Sequence, residues 1–350
     1  MKIAMTHVDL PNESKGGVAH QVHYLANVLA DRGHDVTMFT CSPAYAECHY
    51  RVQQYPAWSR LRRFQTFTFA VRLARTDFSD FDVLHTNGDN YLLRHPHLRT
   101  FYGSAKDEAR SAVRLRRRLY QSAIAYLEVV GARRADINTG ISEATRAQVP
   151  EISEIVPCGV DIGRFQPGLK TEHPTILFVG TTGGRKRGQL LAQAFAREIR
   201  SRFPTAELWA VAEKPMIGQG IVNMGRVPLA TLTKLYQQAW VFCLPSTYEG
   251  FGVPYIEAMA SGTAVVASPN PGSIEVLANG QFGMIASDEH LGWKISILLG
   301  NTDQREQYVL KGLQRAEAYA WPTIAAQYER LYEKLINASS ESQSVQPCHT

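Results

Sequence analysis

The chain alternates between short apolar runs and amphipathic stretches. Lys2–Thr6 is a buried-strand pattern, and a polar, glycine-containing loop follows over 11–17. Val18, Val22, Leu25 and Leu29 then recur at i, i+4, i+7 and i+11, which predicts one apolar helix face and a stop at Gly33. Residues 34–40 read as a second strand, so the chain opens as strand, glycine loop, helix, strand. Further parallel strands are expected at 81–85 (FDVLH), 135–141 and 155–157. No tandem repeat is visible.

The pattern then restarts. Residues 175–180 (TILFVG) read as a buried strand, followed by a Gly/Arg/Lys loop and a helix from about 189 to 200. Strands are expected at 207–212, 220–224, 240–245 and 264–268, with a helix at 229–239 between the second and third. The expected fold class is α/β: two Rossmann-like, doubly wound parallel-sheet domains facing a cleft. The expected domains are 1–165, joined by a final amphipathic helix at 321–336, and 170–320, with a disordered polar tail at 337–350. A polar, proline-bearing linker (RFQPGLKTEHP) separates them.

Length and composition agree with two domains: 350 residues, 45% hydrophobic. An apolar leader at the amino terminus is missing, and no run reaches the roughly 18 apolar residues of a membrane span. The expected location is therefore cytoplasmic. Five scattered cysteines without CxxC spacing argue against a disulfide framework or a zinc site. The net charge of +5 is unevenly spread: residues 51–118 carry 14 Lys/Arg against 6 Asp/Glu, densest in RLRR (60–63) and RLRRR (114–118). This is either a solvated arginine-rich face or a face for an anionic partner, such as a peripheral contact with the inner membrane face. Nucleic acid is disfavoured, because no reading motif accompanies the charge.

Three glycine-bearing loops are candidates for phosphate chemistry. In EGFGVPYIE (249–257), Pro254 suits the first turn of a helix, and Glu249 falls on the loop with Glu257 in that first turn. Gly250 and Gly252 let backbone amides approach a ligand, and the helix start is an anion site. The alternative is a plain acidic helix start. In GTTGGRKRG (180–188), Arg185, Lys186 and Arg187 can stand over a phosphate, or form a basic surface loop; a Walker A spacing is absent. KGG (15–17) opens the first helix without GxGxxG, so a dinucleotide fingerprint fails. Asp80 and Asp82 could hold a cation but fit a polar strand start better. His85 ends its strand, either as a ligand contact or as a satisfied core histidine.

Taken together, six segments resemble the retaining GT-B glycosyltransferases of family 4 over roughly residues 1–336. They are SKGGVAHQVHYLA (14–26), ADRGHDVTMFT (30–40), ISEATR (141–146), VPCGVDIGRFQP (156–167), FVGTTGGRKRGQLLAQAF (178–195) and STYEGFGVPYIEAMASGTAVVAS (246–268). The resemblance implies a nucleotide-diphosphate sugar donor, UDP- or GDP-linked, held mostly by the second domain, and an acceptor held mostly by the first. It implies Glu257 on the donor ribose and Glu249 beside the donor sugar. The amides of Gly250, Phe251, Gly252 and Val253 would lie on sugar and distal phosphate. It implies Lys186 and Arg185 on the phosphates, Gly16 and Gly17 facing the diphosphate, and Val227 near the base. On the acceptor side it implies His85 and Tyr102. Tyr102 stands where many members carry histidine, and Thr181 where many carry a phosphate-binding arginine. Cys158 replaces an asparagine and Ala264 a proline.

The expected reaction is same-face transfer with retention, without a metal or cofactor, because the cationic loop and helix start supply the positive potential. Polysaccharide, glycolipid or natural-product assembly would use it. The competing expectations are a sugar phosphorylase or epimerase on this fold, or a sugar-nucleotide-binding partner without catalysis.

Overall fold

The computed structural model describes residues 1–11, 17–44, 47–55, 64–103 and 115–344, with the side chains of 115–119, 339 and 341–344 excluded. The chain divides into two compact units: Met1–Gly159 with Trp321–Thr350, and Val160–Ala320.

In the first unit seven parallel strands form one sheet: β1 (Lys2–Thr6), β2 (Asp35–Thr40), β3 (Arg51–Gln54), β4 (Val83–Thr86), β5 (Leu98–Phe101), β6 (Ile137–Gly140) and β7 (Glu154–Ile155). Their order is β3-β2-β1-β4-β5-β6-β7, so the direction of winding reverses between β1 and β4. Ile3 pairs with Val36 on one side and Val83 on the other. Side chains alternate across the sheet. Ile3 and Met5 join Val22, Leu25 and Leu29 of helix α1 (Val18–Asp31), together with Ile324, Tyr328 and Tyr332 of the carboxyl-terminal helix. Ala4 and Leu84 face Phe69 and Leu73 of α2 (Gln65–Leu73). Helices α3 (Leu115–Ala132) and α4 (Glu143–Gln148) complete the unit; Ser142 caps α4 by accepting from the Thr145 amide at 3.1 Å. Asp82 accepts the Lys2 amide at 2.7 Å, as a polar strand start does.

The second unit holds β8 (Thr175–Val179), β9 (Glu207–Val211), β10 (Ile221–Asn223), β11 (Val241–Leu244), β12 (Ala264–Ala267) and β13 (Met284–Ile285), all parallel, in the order β10-β9-β8-β11-β12-β13. Winding reverses between β8 and β11. Its helices are α5 (Gly188–Ala194), α6 (Leu229–Gln238), α7 (Val253–Ala260), α8 (Pro271–Val276), α9 (Leu291–Gly300) and α10 (Thr302–Glu317). The expected helix at 189–200 exists, but it passes through a π turn at Phe195–Ile199.

The last helix, α11 (Trp321–Ser344), belongs to the first unit and outruns its expected end at 336, so residues 337–344 are helical rather than a disordered tail. Glu329 on α11 takes a two-pronged bond from Arg32, both arms 2.7 Å, and lies 2.9 Å from His34 Nε2. These bonds hold its carboxyl down at about 2.

Candidate functional site

The second unit gathers its candidate residues at the carboxyl ends of β8 and β11, the place where an open α/β sheet takes ligands. After β8 the chain runs through Gly180 and a 3-10 turn at Gly184–Lys186 before α5 begins. Arg187 is left-handed at φ 53, and its guanidinium fixes this turn from below. Its Nε donates to Pro245 O at 2.7 Å, Nη2 to Ser268 Oγ at 3.0 Å and Nη1 to Asp288 at 2.6 Å. Of the two readings open for it, over a phosphate or on a basic surface loop, the structure gives Arg187 a third part, with its guanidinium stapling the loop to three protein partners. The Thr247 amide donates to Arg185 O at 2.9 Å, tying the loop to the segment that follows β11, while the Arg185 side chain is exposed. Thr181 turns its hydroxyl onto Gly183 O at 2.9 Å.

This arrangement brings Lys186 onto Glu249. Nζ donates to Oε1 at 2.6 Å, with the side chains 17% and 7% exposed, so the pair is largely out of water. Two residues 63 positions apart thus form one ion pair, where the sequence suggests two separate roles. Burial of this kind holds a charge pair in a fixed geometry, and removing either partner strands the other.

The loop after Glu249 is set by close packing. Gly252 caps α7 at φ 102, a left-handed conformation that a side chain resists. Gly272, in α8, donates its amide to Glu249 O at 3.0 Å, and a Cβ there would collide with the carbonyl of Phe251 and stand 2.9 Å from Glu249 O. Asn270 caps α8 with a reciprocal Ser273 bond and also donates to Ser246 O at 3.1 Å. The Phe251 and Tyr319 rings meet in a T-shaped arrangement. No side chain caps α7; Pro254 has no amide to offer and the Tyr255 amide donates to Gly252 O at 2.9 Å, so of its first turn the Val253 amide has no side-chain cap.

Pro254 is in the first turn of α7, as expected, but Glu257 is its fifth residue and falls in the second. Its carboxylate accepts from the Tyr236 hydroxyl at 3.1 Å. Burial pushes the Glu257 carboxyl up to about 7, against the Tyr236 bond and the Lys186 charge. Val227 is half-buried just before α6, beside Arg226, which pairs with Glu213 on the surface.

In the first unit Gly17 caps α1 at φ 61. Gly16 lies outside the described residues, as do 60–63 and 114 of the basic runs. His85 corrects one expectation. It is fully buried; Nδ1 lies 2.8 Å from the Tyr332 hydroxyl, Nε2 2.8 Å from Thr100 Oγ1, and the Tyr328 ring lies over it. Both nitrogens are occupied and burial pulls its pKa down to about 3, so His85 is a neutral core residue and not a ligand contact. Tyr102 lines a cavity of about 270 Å³ with Val18, Asn87, Arg99 and Glu128. Arg99 and its buried partners were not anticipated; an arginine set between Leu98 and Phe101 in HLRTF was the available signal.

Among the described residues no group of three metal-ligating side chains occurs, and no helix is long and apolar enough to cross a membrane.

Comparison with known proteins agrees with this architecture. Residues 15–164 match the family model "Glycosyltransferase Family 4", and residues 173–301 match "Glycosyl transferases group 1". The chain is 28% identical to a phosphatidyl-myo-inositol mannosyltransferase of Mycolicibacterium smegmatis, over 94% of this chain and 92% of that one. Among solved structures, a sucrose-phosphate synthase from Thermosynechococcus elongatus superposes with a TM-score of 0.78 at 23% identity, covering 96% of this chain and 99% of the other. The Anabaena protein HepE, solved with UDP-glucose, gives 0.74 at 15% identity, covering 95% and 100%. Both structural likenesses are of fold, and the fold is GT-B. With two family models spanning one unit each and full-length mannosyltransferase relatives, the chain belongs to the group 1, family 4 glycosyltransferases and is an enzyme of that type.

Proposed function

We propose that the second unit holds a nucleotide-diphosphate sugar and that the chain transfers the sugar, with retention and without a metal ion, to an acceptor bound by the first unit. The observation that carries this reading is the Lys186–Glu249 pair, 2.6 Å apart beside an uncapped helix start. Negative charge grows on the leaving diphosphate as its bond to the anomeric carbon breaks. Lys186, Arg185 and the positive amino-terminal end of α7 offer fixed positive potential there, each donor group worth about 3 kcal/mol in such sites. A metal would duplicate that role. Glu249, fixed by Lys186 and by the Gly272 amide behind it, faces the sugar hydroxyls, and Glu257 with Tyr236 takes the ribose. Among the residues of this site no second carboxylate suits a nucleophile, which favours same-face attack. The acceptor oxygen bonds the anomeric carbon, the bond to the phosphate oxygen breaks, and that oxygen receives the acceptor's proton.

The relatives' names favour a mannosyl donor, and a lipid-linked or polysaccharide acceptor is consistent with them. The basic 51–118 segment is read as a peripheral contact with an anionic membrane. The test is transfer from UDP- and GDP-sugars in the presence of a chelator, with the product's anomeric configuration read by NMR. Activity abolished by chelator and restored by magnesium overturns the metal-free reading; an inverted product overturns retention.

A further inference from the structure

The first-unit cavity holds a buried cation that the donor chemistry does not use. Arg99, on β5, is 3% exposed and lines the cavity. A chain of buried bonds fixes it. His97 Nδ1 donates to His95 O at 2.7 Å, which makes His97 Nε2 an acceptor, and Asn90 Nδ2 donates to it at 2.7 Å. That orientation turns Asn90 Oδ1 to Arg99, whose Nη1 donates to it. Gly131 leaves the room: a Cβ there would collide with both Arg99 Nη1 and Asn90 Oδ1. The guanidinium also lies over the Phe101 ring at 4.1 Å.

Every one of these partners is neutral, and Arg99 Nε has no partner among the described residues. Burial lowers the guanidinium only to about 10, so it is charged at neutral pH, with Glu128 and Asp89 acting on it through the field. A buried charge is ordinarily paired. Asn87, also on the lining and 7% exposed, likewise has a bare Oδ1. The cavity thus combines a donor with positive charge, an unsatisfied amide acceptor and the Glu128 carboxylate. That set fits a molecule bearing both an anionic group and hydroxyls. The volume of about 270 Å³ is below the usual range for drug-sized ligands and suits one sugar-sized group.

We propose that this cavity is an acceptor subsite for a hydroxylated anion, a phosphate ester or carboxylate, and that Arg99 is the residue selecting the anion. The proposal rests on the reading of the first unit as the acceptor side. Asn90, His97 and Gly131 are positioning residues for Arg99.

The test uses the full chain with excess UDP and GDP present, so that phosphate sites of the second unit are filled. Binding of glucose 6-phosphate, glucose and inorganic phosphate is measured by calorimetry, alongside vesicles of phosphatidylcholine with and without phosphatidylinositol. The expected result is that glucose 6-phosphate or the phosphatidylinositol vesicle binds at least about tenfold more tightly than its neutral counterpart. The advantage is expected to vanish in Arg99→Gln. A soluble preference identifies a free phosphate ester and a vesicle preference identifies a lipid headgroup. Equal binding of glucose and glucose 6-phosphate with no vesicle preference overturns the proposal, as does a preference that survives Arg99→Gln. The wild-type comparison stands even where that variant fails to fold. Gly131→Ala keeps the charge while displacing the guanidinium, and it is expected to lose the same preference. If the wild type binds neither UDP nor GDP, the donor reading of the second unit fails while the phosphate comparison still decides this one.

Discussion

At the end of β8 the chain turns into a loop that carries Lys186 onto Glu249, whereas at the end of β4 it closes on itself through His85. Both sheets reverse their winding at that place, between β8 and β11 in one unit and between β1 and β4 in the other. The second unit puts a charge pair there, with the titrating Glu257 close by. The first puts a neutral histidine there between two hydroxyls, and its buried charge sits one strand over at Arg99. Topology therefore supplies the location, and side chains supply the chemistry. The charged end suits a diphosphate. The neutral end holds its own core together, with the Arg99-lined cavity one strand away.

The sharpest break of that contrast is Lys186→Ala. It removes the cation at the charged end and leaves Glu249 buried without its partner. Transfer is expected to fall roughly a hundredfold, about 3 kcal/mol, with a comparable loss of stability. Steady-state rates per folded molecule separate the two effects. Near-wild-type turnover would remove Lys186 from the site.

Gly272→Ala tests whether the shape of the Glu249–Gly252 loop matters apart from its charges. The added Cβ meets backbone on two sides, so the loop shifts while Lys186 and Glu249 keep their side chains. A fall in transfer of about tenfold, roughly 1.4 kcal/mol, is expected with the far-ultraviolet spectrum unchanged. Full activity would show that the loop tolerates displacement.

Much of this contrast was legible in the sequence on the second unit and little on the first. TILFVG, EGFG and Pro254 state a strand, a glycine loop and a helix start locally, and β8, the loop and α7 lie where those signals put them. The Lys186–Glu249 pair was not legible, because parallel strands join residues 63 apart through crossovers that no local period encodes. In the first unit β3 (RVQQ) is a half-exposed edge strand without an apolar run, and β5 is interrupted by Arg99; neither was anticipated. His85 carried two readings because a strand-end histidine looks the same whether it meets a ligand or Tyr332. That tyrosine comes from α11, 247 residues away.

The pH response of Glu257 gives a smaller effect at the charged end. Its folded carboxyl titrates near 7 and its unfolded one near 4.5. Between those values the folded state holds the extra proton, so this group's contribution to stability falls as pH rises from about 4.5 to 7. On the proposed donor reading ribose binding would run the other way, because the ionised carboxylate is the stronger acceptor. Nucleoside diphosphate affinity is expected to improve about threefold from pH 6 to pH 8, beyond the change seen in Glu257→Gln. Identical pH profiles for the two proteins would remove Glu257 from the nucleotide.

At the neutral end the expected effect on transfer is nil, which is what makes His85→Gln informative. Unfolded histidine takes a proton near 6.5, while the buried ring resists until about 3. The unfolded state therefore binds the extra proton across that window. Stability owed to His85 is intact above pH 6.5 and drains away by about 1.4 kcal/mol per unit as pH falls towards 3. Urea unfolding at pH 7 and pH 5 should show wild type losing about 2 kcal/mol more than His85→Gln over the interval. Transfer per folded molecule at pH 7 should stay within about twofold, since Tyr332, Tyr328 and Thr100 enclose the ring and leave nothing for a substrate to touch. A tenfold loss of transfer with parallel unfolding curves would instead put His85 at the acceptor and erase the difference between the two ends.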